Sequence, residues 1–237
     1  MKRILVIIPA YNEQESILKT VRTLQSCQFS PEYAVDYIVV NDGSRDNTLS
    51  VLRENGLRHL NLPMNLGIGG AMQTGYMFAA ENGYDYAVQL DGDGQHNPEY
   101  IERIVAPLER GEADMTVGSR FIEKQGFQST GLRQLGIRIV SATIHLLTRK
   151  RVLDVTSGFR ACNRDTIAYF SRHYAEDYPE PEAIITALKK DFRVAEVPVI
   201  MNERSGGKSS IYGLKSVYYM LKVECALFIQ AMRRKGD

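Results

Sequence analysis

A chain of 237 residues with 44% hydrophobic content is long enough to bury the core of one α/β domain and does not force a division into two. Its 29 lysines and arginines against 28 acids leave a formal net charge of +1, so no overall field draws nucleic acid to it and any basic site has to be local. The three cysteines, Cys27, Cys162 and Cys225, are odd in number, far apart and without a Cys-x-x-Cys pair, which argues against a disulfide framework or a zinc knuckle and fits a reducing, cytoplasmic setting.

The chain opens Met1-Lys2-Arg3 with a short apolar run to Pro9, lacking the longer apolar stretch and small-residue cleavage site of a signal peptide. Predicted strands at Ile4–Ile8, Tyr37–Val40, Ala87–Leu90 and Met115–Val117 each lead through polar turn residues into a helical pattern. This alternation is the βαβ signature of a mostly parallel sheet flanked by helices. Runs such as Ile38-Val39-Val40 are apolar without alternation, as parallel strands covered on both faces require. The charge-free stretch between Arg58 and Glu81 is broken by Asn61, Pro63, Asn65, Gln73 and four glycines, so it does not supply the ~20 apolar residues of a membrane span.

Further along, Gly126 to Leu147 reads as helix, Val155–Cys162 as extended, Glu182–Lys190 as helix and Val194–Ile200 as extended. From Ser209 to about Arg234 the pattern is helical, with Leu214, Val217, Tyr218, Leu221, Cys225, Phe228 and Met232 forming an apolar stripe among cations. The expected organisation is a domain over 1–208 followed by an amphipathic helical segment over 209–237.

In such sheets ligands sit at the carboxyl ends of the strands. There the chain places Pro9-Ala10-Tyr11-Asn12-Glu13, Asn41-Asp42-Gly43-Ser44-Arg45-Asp46 and Asp91-Gly92-Asp93. Asp91 and Asp93 in extended geometry project to one side, where two like charges call for a cation. Hard oxygen ligands suit magnesium or manganese, which also bind phosphate oxygens and neutralise charge on a leaving diphosphate. An isolated Asp-Gly-Asp-Gly is ordinarily a turn; the neighbouring segments favour a site. The four histidines show no metal-ligand spacing, although His96 lies next to Gln95. Gly67, Gly69 and Gly70 lack the third glycine of a dinucleotide fingerprint.

Seven segments in order carry a more specific likeness: Ile8-Pro9-Ala10-Tyr11-Asn12-Glu13, Asn41-Asp42-Gly43-Ser44-x-Asp46-x-Thr48, Asn65-x-Gly67-x-Gly69, Asp91-x-Asp93-x-Gln95-x-x-Pro98, Gly118-Ser119-Arg120, Thr156-Ser157-Gly158-Phe159-Arg160 and Arg204-x-x-Gly207-x-Ser209. The chain resembles the family 2 glycosyltransferases of GT-A fold, and within them the dolichyl- or polyprenyl-phosphate mannose and glucose synthases. That resemblance implies a nucleotide-sugar donor site lined by Pro9, Tyr11, Glu13, Asp42, Gly67 and Gly69. It implies Asp91 on the diphosphate side and Asp93 with Gln95 on Mg²⁺ or Mn²⁺, Asp91 also being within reach of the metal. For Asp42 the plainer reading is a turn or a cap for the helix over Asn47–Arg53.

The acceptor follows from charge. A lipid phosphate is largely dianionic at neutral pH and needs cations rather than a base. Arg120, Arg133, Arg204 and Lys208 could supply them, and the related synthases use arginines in the segments of the first three. A sugar hydroxyl needs a base, for which Glu182 is the candidate; beside Pro181 it could equally be a helix-start charge. The loop Ser205–Ser210 could close over a ligand or merely link to the last helix. The C-terminal helix fits domain packing, another subunit or an anionic membrane surface. Because the related synthases often continue into membrane spans, this chain is expected to be peripheral or to rely on a separate membrane partner. The expected activity is inverting hexose transfer from a UDP- or GDP-sugar to a polyprenyl phosphate. Transfer to a saccharide hydroxyl and a non-catalytic nucleotide-sugar-binding subunit are the rivals.

Overall fold

The computed structural model describes residues 1–123, 131–202 and 222–229, with 132 and 133 in backbone only. Strands β1 (Lys2–Ala10), β2 (Tyr33–Asn41), β3 (His59–Asn61), β4 (Tyr86–Gln89), β5 (Met115–Ser119), β6 (Arg160–Asn163) and β7 (Val194–Pro198) form one sheet in the order β3-β2-β1-β4-β6-β5-β7. All neighbours are parallel except β6, which runs antiparallel to both β4 and β5. The expected mostly parallel α/β sheet is therefore present with one reversed strand.

Parallel pairing explains the continuous apolar runs. Ile4 to Ile8 of β1 are fully buried on both faces of the sheet. One core packs Leu5, Ile7 and Val40 against Met72, Tyr76 and Ala79 of helix α3 (Gly67–Glu81). The other packs Ile4, Val6 and Ile8 against Ile17, Val21 and Leu24 of α1 (Ile17–Ser26) and against α4 (Ile101–Glu109). Helix α2 (Thr48–Glu54) follows β2, and α5 (Gly131–Thr148), α6 (Arg164–Phe170) and α7 (Pro179–Lys189) complete the layers. Among the described residues no helix is long and apolar enough to cross a membrane.

Three differences from the sequence expectations have plain causes. Strand β3 has three residues, too few to show a period, and exists because Val39 to Asn41 offer a free edge to His59–Asn61. The extended reading of Val155–Cys162 shrinks to Arg160–Asn163, because the stretch before it folds into a buried turn anchored by Asp154 and Arg160. β4 ends at Gln89, not Leu90, so Asp91 and Asp93 lie on a turn rather than on a strand. The segment 209–237 is described only over the helical stretch 222–229, where Val223 and Leu227 are buried and Cys225 and Phe228 of the expected stripe are exposed.

Candidate active site

The strand order reverses direction between β1 and β4, since β1 is followed in space by β2 and β3 on one side and β4 leads away on the other. A crevice at such a switch point, outside the carboxyl ends of the strands, is where open α/β sheets bind ligands. The loops after β1, β2 and β4 meet there.

Side chains of the second loop hold the first. Ser44 Oγ accepts the Asn12 amide at 3.0 Å, Asp46 Oδ2 the Gln14 amide at 3.2 Å and Thr48 Oγ1 the Glu13 amide at 2.8 Å. Asn12 answers through Oδ1, which accepts the Arg45 amide at 2.9 Å, and its φ of 56° is one that asparagine tolerates. Ser44, Asp46 and Thr48 thus brace Pro9–Glu13, a task the sequence expectation left unassigned. Held this way, Tyr11 stands 42% exposed at the rim, Pro9 and Glu13 are half-buried, and the Glu13 carboxylate accepts the Ser16 hydroxyl. The third loop closes against them: Thr20 Oγ1 donates to the Gly92 carbonyl at 2.9 Å. A β-carbon on Gly92 would lie 3.2 Å from the Pro9 carbonyl and 3.7 Å from Glu13 Cγ.

Asp42 takes a more structural position than the resemblance implies. It is 3% exposed, accepting the Leu66 amide at 2.7 Å on Oδ1 and the Asn65 side-chain amide at 2.9 Å on Oδ2. Burial raises its pKa, and the backbone N–H groups of Leu66 and Gly67 pull in the opposite direction. Asp42 therefore caps α3 from another loop, not the helix over Asn47–Arg53. Gly43, at φ 61°, lets residues 64 and 65 approach to 2.6 Å of where its β-carbon would stand. Of the two glycines expected at the donor, Gly67 has open space on its missing side chain. Gly69 is instead a packing glycine, whose β-carbon would fall 2.2 Å from the Ala175 carbonyl.

In the turn after β4, Asp91 and Asp93 have different surroundings. Asp93 is 3% exposed and its Oδ1 accepts the Gln95 amide at 3.0 Å, closing the turn. The Asp91 side chain is 28% exposed; Oδ1 accepts from Gln89 Nε2 at 3.1 Å, and Oδ2 lies 3.5 Å from His96 Nε2. The backbone of Gly158 fills the space beside it: a β-carbon there would sit 2.8 Å from Asp91 Oδ2 and 2.8 Å from Gln89 Nε2. Turn and ligand readings coexist here, since a carboxylate has about four acceptor sites and each inward bond uses one.

Among the described residues no cluster of three or more His, Cys, Asp or Glu is preassembled for a metal. Two carboxylates fit Mg²⁺ or Mn²⁺ nonetheless, because such ions take one or two carboxylates and complete their shell with substrate phosphates and water. Asp91, Asp93 and Gln95 are the residues that would hold it.

Arg120 departs from the expectation of a cation free for phosphate. Its guanidinium forks onto Asp154, Nε to Oδ2 and Nη2 to Oδ1 at 2.7 Å each, and its amide also donates to Oδ2 at 3.1 Å. Both side chains are buried, Asp154 completely. Asp154 is held in turn by Glu196 of β7, whose carboxylate accepts the amides of Leu153 and Asp154 at 2.8 Å. An acid inside Leu153-Asp154-Val155 was the signal for such a partner. The backbone of Arg133 lies in the first turn of α5; its side chain, with Arg204 and Lys208, falls outside the described residues. Glu182, half-buried on α7, accepts the Tyr178 amide at 3.3 Å and so acts at the helix start. Cys162 offers no nucleophile, as burial pushes its thiol up to about 12.

The strand order and the acidic turn at the switch point are those of the GT-A fold. The family model described as glycosyl transferase family 2 matches residues 5–178, and the chain belongs to that family. A UDP-N-acetylglucosamine–dolichyl-phosphate N-acetylglucosaminyltransferase of Methanococcus voltae is 32% identical, over 94% of this chain and 96% of that one. A polyprenol monophosphomannose synthase of Mycolicibacterium smegmatis is 30% identical, over 94% and 86%. The solved glucosyl-3-phosphoglycerate synthase of Mycobacterium tuberculosis, in complex with Mn²⁺, UDP and phosphoglyceric acid, shares the fold with a TM-score of 0.72, at 22% identity over 98% of this chain and 80% of that one.

Proposed function

We propose that the protein moves one hexose, with inversion, from a UDP- or GDP-sugar to a polyprenyl phosphate at the cytoplasmic face of a membrane, using Mg²⁺ or Mn²⁺. The observation that carries it is the Asp91–Gln95 turn at the switch point, braced against Pro9 and Glu13. The Mn²⁺ and UDP bound by the solved synthase of like fold support the cation, and the dolichyl- and polyprenol-directed relatives support the acceptor.

In this reading Tyr11 and Pro9 line the base, Glu13 contacts the nucleoside, and Asp42 shapes the pocket through Gly67 more than it touches ligand. Asp91 faces the diphosphate, and the cation held with Asp93 and Gln95 neutralises its charge as it leaves. Arg133, Arg204 and Lys208 would bind the acceptor phosphate, while Arg120 is held by Asp154. Glu182 accepts the Tyr178 amide through one oxygen only, so the choice of a phosphate acceptor over a saccharide hydroxyl is supported by the dolichyl- and polyprenol-directed relatives.

The test is incubation with labelled nucleotide sugars and either polyprenyl phosphate or saccharides. A metal-dependent glycolipid is expected; transfer only to saccharide hydroxyls, with severe loss of turnover in Glu182→Gln, would replace the acceptor. Donor binding without turnover on any acceptor would leave a nucleotide-sugar-binding subunit.

A further inference from the structure

His96 is buried at 5% exposure, yet both of its ring nitrogens face one residue. Nδ1 accepts the backbone N–H of Asp91 at 3.1 Å, and Nε2 lies 3.5 Å from Asp91 Oδ2. An Nδ1 that accepts leaves Nε2, the nitrogen nearest the carboxylate, as the one that can carry the ring's proton. The imidazole therefore brackets Asp91 at its main chain and its side chain together.

The ring is itself fixed. It stacks on Phe159, with centroids 5.0 Å apart and planes 14° from parallel. His96 forms an antiparallel bridge with Met201, and next to it the Asn202 amide donates to the Gln95 carbonyl at 2.9 Å. Phe159 follows Gly158, whose missing β-carbon admits the same Asp91 carboxylate. Asp91 is thus enclosed by Gln89 Nε2 on Oδ1, His96 beside Oδ2 and the Gly158 backbone between, with its side chain still 28% exposed.

We propose that His96 is a positioning residue for donor activation: through its two nitrogens it sets the orientation of Asp91, and so the geometry in which cation and sugar diphosphate are held. This rests on the donor-site role given to Asp91 above. Groups that orient a ligating carboxylate or histidine typically change metal affinity or activity by about 10- to 100-fold when removed.

The full chain is prepared as wild type, Asp91→Asn, His96→Phe, His96→Asn and His96→Gln. Thermal unfolding, Mn²⁺ binding by electron paramagnetic resonance, and turnover against Mn²⁺ concentration are measured on each. His96→Phe keeps the stack on Phe159 without either nitrogen, and is expected to lower kcat by about 10- to 100-fold and to raise the Mn²⁺ requirement while donor KM at saturating metal changes little. His96→Asn, which returns an acceptor near the Nδ1 position, is expected to recover most of the loss. If His96→Phe does not fold, His96→Asn against His96→Gln makes the same comparison, with Asn the more active. Equal kcat and equal Mn²⁺ requirement across the His96 variants, with Asp91→Asn inactive, would overturn the positioning role and leave the donor site standing. An active, metal-independent Asp91→Asn would overturn the donor-site reading, and this inference with it.

Discussion

Gly158 and Asp91 are in a relationship that excludes any side chain: a β-carbon on Gly158 would stand 2.8 Å from one Asp91 carboxylate oxygen and 2.9 Å from the other. In the proposed reading the backbone at Gly158 is a wall of the diphosphate site. Gly158→Ala is expected to push Asp91 and Gln89 aside, lowering turnover by about 10- to 100-fold. Stability should fall by about 1–3 kcal/mol from overpacking. Steady-state kinetics with a denaturant titration check both, and wild-type turnover in a folded Gly158→Ala protein would refute the close approach.

Asp93 closes its own turn through the Gln95 amide. Asp93→Asn keeps that acceptor and removes the charge, so folding should be nearly unchanged while turnover falls by about 10²–10³-fold, the usual loss for one electrostatic group at a reacting centre. Dialysis against a chelator should abolish transfer, and Mg²⁺ or Mn²⁺ should restore it in the wild type. Retained turnover after exhaustive chelation would remove the metal from the reaction.

Arg120 and Asp154 form a buried, fork-on-fork pair. Asp154→Ala strands a buried guanidinium and is expected to cost about 3–5 kcal/mol. Arg120→Met with Asp154→Asn removes both charges and should recover a large part of that stability. Should the paired variant fold and keep the wild-type KM for polyprenyl phosphate, the acceptor role expected of Arg120 is withdrawn. A loss in Asp154→Ala below about 1 kcal/mol, the size of an exposed pair, would contradict the burial.

Away from the site, Asp114 accepts the Arg193 amide at 2.8 Å and Nη2 at 2.8 Å, tying the start of β5 to the start of β7. The Arg193 side-chain bonds, ahead of its backbone and charge, hold the Asp114 carboxyl below the ordinary aspartate range, against the opposing effect of burial. Its folded pKa is lowered, so its contribution is complete above the unfolded value of about 3.9 and is lost as pH falls through the folded value. Asp114→Asn should cost about 1 kcal/mol at neutral pH, the Arg193 side chain being 55% exposed and screened. The gap between wild type and variant should close in acid, with transfer activity at pH 7 unaffected. An equal gap at pH 7 and pH 2 would show that the charge is not responsible.

The sequence by itself determined the alternation of strands and helices, because parallel strands buried on both faces read as continuous apolar runs. It also located the acids at the strand ends, because carboxylates at Asp42, Asp91 and Asp93 beside glycines stand out from such runs. What these acids touch was decided only by the tertiary structure. Asp42 caps a helix 24 residues away, at Leu66; Arg120 meets Asp154 across 34 residues; and the orientation of Asp91 depends on Gly158, far along the chain on the reversed side of the sheet. Contacts of this kind leave no local period, since they are fixed by strand order and by the direction of β6. The same holds for His96. Its neighbours in the chain mark it as belonging to the acidic turn, but only the packing of Phe159 and Met201 around it turns its ring toward Asp91.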